Sequence, residues 1–294
     1  EWMIRTVFVL FAGIVSISFA AIFIRFCDDV PAIMIATYRL SVASLVLGSC
    51  AGFKRNTFVN MRRKDLLLCI AGGIFLALHF ITWISSLKYT SVASSVVLVT
   101  TNPIFVGVFS FFILREKQNP ELVAGIILCF AGSVLIAAGD SGLNGMTITD
   151  KYSLIGDALA LTGAVMASGY LIVGSKARET VDIMTYVTVV FSAGAVFLLA
   201  TSLALGISFT GYKGSSYLFM ILLAVVPQLI GHTSINWALK HLKASMVAIT
   251  ILGEPIGATI LAYIFFNETV GTIQLIGMFS VCAAIITASR KGKK

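Results

Sequence analysis

Along this chain, apolar stretches of about 17–25 residues alternate with short charged or turn-rich breaks. The breaks delimit ten expected helices, over residues 4–24, 31–51, 65–87, 91–114, 120–138, 153–174, 183–205, 215–238, 244–266 and 270–289. Runs of that length suit helices that cross the hydrocarbon layer, whereas barrel strands show roughly ten residues of alternation. The stretch that opens Gly139-Asp140-Ser141-Gly142 is the most loop-like and divides the chain near its middle. The expected fold class is therefore all-α integral membrane. Ten transmembrane helices form two inverted five-helix repeats, residues 1–138 and 153–294, joined by the loop 139–152.

Composition strengthens this reading. Of the 294 residues 58% are hydrophobic and 12% charged, and the mean hydropathy is +0.99. A soluble domain carries about 25% charged residues because its surface faces water. Lipid leaves helices and closed barrels as the structures that satisfy their own backbone hydrogen bonds. The net charge of +8 would suit nucleic acid, but the basic residues lie in loops and at the C-terminus, where they face lipid headgroups. No nucleic-acid partner is expected.

Placing the N-terminus inside puts sixteen of the 21 Lys and Arg residues on the cytoplasmic side. Among them are Arg5, Lys54, Arg55, Arg62, Arg63, Lys64, Arg115, Lys117, Lys176, Arg178, Lys240, Lys243 and the C-terminal group from Arg290. Arg25, Lys88, Lys151 and Lys213 fall outside, and Arg39 lies within a helix. This bias predicts an inner-membrane protein with both termini cytoplasmic. The first apolar run has no small-residue cleavage pattern and reads as a retained helix. The five cysteines, Cys27, Cys50, Cys69, Cys129 and Cys282, show no CxxC or metal spacing and read as packing residues.

Sliding the chain on itself by 152 residues aligns Leu87-Lys88 with Leu239-Lys240, Pro103 with Pro255, Glu116 with Glu268 and Gly125 with Gly277. Five helices per half is an odd number, so the second copy is inverted in the membrane. Inverted repeats are associated with alternating access around a site near the bilayer midplane.

These same residues carry a family resemblance. Pro31 with Arg39, then Leu87-Lys88-Tyr89-Thr90 leading to Pro103 and Glu116, resembles the drug/metabolite transporter superfamily. Gly253-Glu254-Pro255 with Asn267-Glu268 and Gly277 is similar to its EamA-type branch. The resemblance covers almost the whole chain. It implies a secondary transporter whose central cavity is framed mainly by helices 1–4 and 6–9, with helices 5 and 10 peripheral. Relatives handle amino acids, other metabolites, toxic compounds and nucleotide sugars. The nucleotide-sugar and phosphate-sugar branches place basic residues in the last helices, but the spans from Ala244 to Ala288 hold no Lys or Arg. Amino acids or neutral to cationic aromatic compounds are favoured over phosphorylated solutes.

Several polar groups inside these spans need an account, because charge is costly there. Arg39, with Tyr38 beside it, reads equally as a structural pin or as a contact for an anionic substrate group. Glu254 directly precedes Pro255, which lacks an N–H and frees a carbonyl near Thr250 or Ile251. An acid beside an opened backbone is a candidate proton-coupling site, and structural pairing with Arg39 is the competing reading. Asn102 is its uncharged repeat counterpart before Pro103. Gln228, His232 and Asn236 form one polar stripe at i, i+4, i+8, and Phe75, His79 and Trp83 form an aromatic stripe at the same spacing. His79 and His232 are near-equivalent under the repeat, which favours a shared cavity.

The expected substrate-binding set is thus Tyr38, Arg39, His79, Trp83, Asn102, Gln228, His232 and Asn236, with Glu254 for coupling. No catalytic residues, cofactor or metal are expected, because the acids and cysteines do not cluster with the histidines. Asp157 is expected to complement the start of helix 6, Gly253-x-x-x-Gly257 to pack closely, and Trp83 and Trp237 are alternatively interfacial aromatics. No G-x-x-x-x-G-K-[ST] motif is present, so ATP does not drive the process in this chain directly. The partners are a small-molecule substrate and membrane lipids, with the chain acting as monomer or homodimer. A passive channel and a membrane-embedded lipid-modifying enzyme are the alternative readings.

Overall fold

The computed structural model describes residues 2–51, 61–89, 95, 98–99, 101–115, 120–141, 151–266 and 271–289. These hold ten helical rods: α1 (Trp2–Arg25), α2 (Ala32–Ala51), α3 (Arg63–Ser86), α4 (Asn102–Leu114) and α5 (Pro120–Ser141) in the first part. In the second part follow α6 (Lys151–Ala177), α7 (Ile183–Ala204), α8 (Gly214–Ala238), α9 (Ala244–Phe266) and α10 (Thr272–Ser289). By length and composition seven of them, α1–α3 and α6–α9, are able to cross a membrane. The described apolar stretches of α4, α5 and α10 are shorter.

Each expected helix corresponds to one rod, with ends shifted by a few residues. Helix α5 runs on through Ser141, and α6 already begins at Lys151. Of the expected fourth helix, 91–114, the described part is Asn102–Leu114, preceded by helical Ser95, Leu98 and Val99. Thr90, Glu116, Lys117, Asn267, Glu268, Lys54, Arg55, the loop residues 142–150 and the basic C-terminus from Arg290 lie outside the described residues.

Local chemistry explains the rod ends. The Asp182 carboxylate accepts from the Thr185 N–H at 3.1 Å and caps α7. Gly206, at φ +65°, reverses the chain after α7 in a conformation that penalises any Cβ. At the other end of that connection, Asp29 accepts from the Lys213 N–H at 2.7 Å and the Ser216 hydroxyl at 2.6 Å. It thereby ties the α1–α2 turn to the start of α8.

The principal interfaces form a self-consistent pattern. Helix α1 packs on α8 and α9, and α6 packs on α3 and α4. Helix α3 meets α7, as α2 meets α8; α2 pairs with α7, α4 with α9, and α5 with α10. Exchanging each helix with the one five places on maps these contacts onto themselves. Small residues allow the close approaches. A Cβ on Gly73 would meet the Val190 carbonyl and the Gly194 nitrogen, and one on Gly257 would meet the Ser18 hydroxyl. The Gly253-x-x-x-Gly257 spacing faces Ile14 and Ser18 of α1, as a close-packing motif should.

Candidate functional site

One helix is interrupted and another starts at equivalent positions. In α9 the first segment ends at Ile251, Leu252 and Gly253 form a tight turn, and a second segment starts at Glu254. The turn is closed by i→i+3 bonds, Leu252 N–H to the Ile249 carbonyl and Gly253 N–H to the Thr250 carbonyl, both at 3.1 Å. In α4 the Thr101 N–H donates to the Leu98 carbonyl at 3.2 Å, and the helix starts at Asn102 with Pro103 in its first turn. Proline suits that place because its missing N–H would be unsatisfied there anyway. The helix 9 expected from sequence is thus interrupted just before Glu254, and of the two carbonyls named as candidates for release by Pro255, that of Thr250 is bonded. Glu254 opens a new half-helix.

A serine from a neighbouring helix contacts each of these starts. The Ser18 hydroxyl of α1 shares its proton between the Ile14 carbonyl of its own helix at 2.8 Å and the Glu254 carbonyl at 3.2 Å, and the Ser168 hydroxyl of α6 likewise between the Ala164 carbonyl at 2.7 Å and the Asn102 carbonyl at 3.2 Å. These two contacts are counterparts under the exchange of halves.

Around these helix starts the polar stripes converge. Arg39 of α2 is 1% exposed; its Nε–H donates to Gln228 Oε1 at 2.8 Å and its guanidinium lies 4.0 Å over the Phe80 ring. Phe80 contacts His232 edge-on at 5.5 Å between centroids, and His232 also lies 6.1 Å from Tyr170. His79 stacks parallel to Trp83, 5.9 Å between centroids. Its Nδ1 lies 2.9 Å from the Gly163 carbonyl, so this nitrogen carries the proton and Nε2 is left as an acceptor when the ring is neutral. His79, His232 and Glu254 sit deep in the bundle yet are only half-buried. That combination belongs to groups that line an internal cavity.

Several buried polar atoms here have no hydrogen-bond partner among the described residues: Arg39 Nη1, Gln228 Nε2, Trp83 Nε1, His232 Nδ1, Asn102 Oδ1 and Asn236 Oδ1. Such atoms are rare in protein interiors. Arg39 and Glu254 act on each other electrostatically, but no ion pair within 4 Å joins them. The direct structural pairing considered from sequence is absent.

Six of the nine expected residues are linked at this centre: Arg39, His79, Trp83, Gln228, His232 and Glu254; Asn102 lies against Ala164 and Ser168 of α6. Asn236 is fully buried at the edge of the centre, with its Nδ2 donating to the Tyr170 hydroxyl. Tyr38 turns away. Its hydroxyl donates to the Phe209 carbonyl in the α7–α8 connection at 2.8 Å, and its ring meets Tyr217 in the first turn of α8. Trp83 is buried against His79, so the interfacial reading fails for it; Trp237 instead lies near the end of α8 beside His241, with Arg5 over its ring.

Sequence reasoning passed over Phe80 and Tyr170, which an apolar helix does not mark out. It also passed over the wide turn at Ala224–His232, where i→i+5 bonding surrounds Pro227. Proline inside an apolar run was the available signal.

Comparison with known proteins adds to this geometry. The model of the EamA-like transporter family matches twice, over residues 4–138 and 154–290. An uncharacterized transporter of Archaeoglobus fulgidus is 23% identical over 258 residues, covering 87% of either chain. Human solute carrier family 35 member G1 is 26% identical over 282 residues, 91% of this chain and 75% of its own. A protein of known crystal structure superposes with a TM-score of 0.80 over 97% of this chain and 96% of its own, at 18% identity, a likeness of fold.

Proposed function

Because the chain belongs to the EamA-like transporter family, we propose that it is a secondary transporter that moves small organic metabolites across the cytoplasmic membrane by alternating access. The observation that carries this reading is the interruption of α9, whose second segment starts at Glu254, together with the start of the α4 rod at the repeat counterpart Asn102. Broken helices around a midplane site, related by exchange of two halves, are the architecture of alternating-access carriers. The two halves are five-helix units of opposite orientation, and both termini face the cytoplasm. The site takes small organic solutes, with amino acids and neutral or cationic aromatic compounds as the class to screen first.

Glu254 is the proton-coupling group. It is an acid at the start of a half-helix, close enough to sense Arg39 and not neutralised by it. Counterflow in proteoliposomes tests the carrier: only alternating access gives transient tracer accumulation, and its absence for a solute that crosses the membrane would favour a channel. Glu254→Gln is expected to abolish pH-driven accumulation while counterflow persists. Uptake that follows the pH gradient equally in wild type and variant rejects the coupling role.

A further inference from the structure

Within that transporter reading, the geometry points to a carboxylate seat: Arg39 and Gln228 receive the carboxylate of a solute whose aromatic or bulky apolar body lies along Phe80, His79 and Trp83. The argument starts from what each atom is able to do. The Arg39 Nε–H is engaged by Gln228 Oε1, and one face of the guanidinium is covered by Phe80. That bond fixes the glutamine amide with its NH2 end turned away from Nε. Arg39 Nη1 and Gln228 Nε2 then remain as two buried nitrogens on adjacent groups, both without a partner among the described residues. Each is a donor and neither is able to accept. Trp83 Nε1, also buried and unpartnered, is a third donor.

The corner formed by Arg39 and Gln228 presents donors and takes a group rich in acceptors, and the fork of a guanidinium suits a planar carboxylate. Leaving an arginine inside a protein without an anion is strongly unfavourable. Here residues 39 and 228 are 1% and 0% exposed, and no acid pairs with Arg39 within 4 Å. Charge balance separates a carboxylate from a phosphate. Among the described residues Arg39 is the one permanent cation acting on this centre, and Glu254 already opposes it. A monoanion is accommodated; a dianion brings a second negative charge that is met only if His79 or His232 takes up a proton. The rings supply the complementary wall, with His79 and Trp83 parallel to within 4° and Phe80 edge-on to His232.

The test uses the full-length protein in detergent and a matched set of probes: 3-phenylpropionate, 3-phenylpropionamide and 3-phenylpropylamine. Ligand-induced thermal stabilisation reads the affinity. The acid is expected to stabilise the protein, and the amide and amine to bind about tenfold or more weakly, because a site built to hydrogen-bond a group rejects analogues that lack it. Gln228→Glu places the protein's own carboxylate beside Arg39. It is expected to raise the melting temperature without ligand and to lose at least tenfold in affinity for the acid.

Equal stabilisation by the amide or the amine overturns the seat. So does an unchanged affinity in Gln228→Glu, or no stabilisation by the acid at millimolar concentration. Counterflow keeps the two readings apart. An acid that binds but gives no counterflow counts against transport and leaves the seat standing; counterflow of the amine in preference to the acid does the reverse.

Discussion

Where α3 crosses α7, the two backbones touch through Gly73. A methyl group there would overlap the Val190 carbonyl and lie 2.8 Å from the Ala193 Cβ and 2.9 Å from the Gly194 nitrogen. Ordinary carbon contacts are about 3.5–4.0 Å, so α3 and α7 would separate by roughly 0.7–1.2 Å along that direction. The obstacles are backbone atoms and a Cβ, which no rotamer change moves. Overpacking of this kind costs about 1–3 kcal/mol, and backbone obstacles place it at the upper end. Against it stands the helix-forming gain of alanine over glycine, about 1 kcal/mol. The clash wins by about 2 kcal/mol. Gly48 of α2 is the control, because a Cβ there meets nothing within 4 Å and only the gain remains. Gly73→Ala should therefore melt below wild type and Gly48→Ala at or slightly above it, in thermal scans of the purified protein in one detergent. At this chain length roughly 2–4 °C accompany each kcal/mol. A Gly73→Ala protein that melts at or above wild type would refute the close crossing.

Other consequences follow from contacts at the ends of the bundle. Hydrogen bonds from the Ser216 hydroxyl and the Lys213 N–H hold the Asp29 carboxyl below its usual range. A depressed carboxyl contributes stability above its unfolded pKa, about 3.9, and loses it as the pH falls through the folded value. Melting curves of wild type and Asp29→Asn are thus expected to differ above pH 5 and converge in acid; parallel curves would sink this account. The Lys213 ammonium is held above its usual range by Asp28, 2.9 Å away, so its contribution is complete below about pH 10 and lost in alkali. Lys213→Met should flatten only that alkaline limb. Arg178 is buried and donates to the Asn236 and Val181 carbonyls. Arg178→Met leaves two buried acceptors unmet and is expected to cost about 2–3 kcal/mol, read by denaturant or thermal titration; a neutral effect would place the guanidinium in solvent.

What the sequence announced and what it hid follow physical lines. Helix number and the 152-residue register were legible because lipid imposes long apolar runs and because proline is rare enough here, five in 294 residues, for two matched prolines to carry weight. The stripe through Gln228, His232 and Asn236 was legible because helical spacing sets a face. Which neighbour that face meets is another matter. Tyr38 and Arg39 are adjacent in sequence, yet about 100° apart around α2, and packing alone sends one to the α7–α8 connection and the other to the centre. Arg178 read as a cytoplasmic basic residue, but its stem folds back to the end of α8, a contact set by how a short connection closes rather than by any pattern. Phe80 and Tyr170 are ordinary members of apolar helices until their partners are known.

The two serines that contact the helix starts at Glu254 and Asn102 carry a mechanical consequence. Ser18 belongs to α1 and meets Glu254 of α9, while Ser168 belongs to α6 and meets Asn102 of α4. Each start is contacted by the leading helix of the opposite half. Gly253 and Gly257 press α9 against Ile14 and Ser18 of α1, and Gly163 brings α6 to Trp83 of α3. Under alternating access the halves move relative to one another, and packed interfaces switch between discrete arrangements rather than deform smoothly. A shift of α1 against α8 then displaces the start of the half-helix that carries Glu254, and with it the spacing between that acid and Arg39. On the proposed reading, the serine contact and the α1–α9 packing around it would link the position of Glu254 to the motion of the halves. Substituting alanine for Ser18 should loosen that link: counterflow and binding stay near wild-type levels while the pH-driven component falls, and a Ser18→Ala protein that accumulates solute as wild type does would show that the contact is only packing.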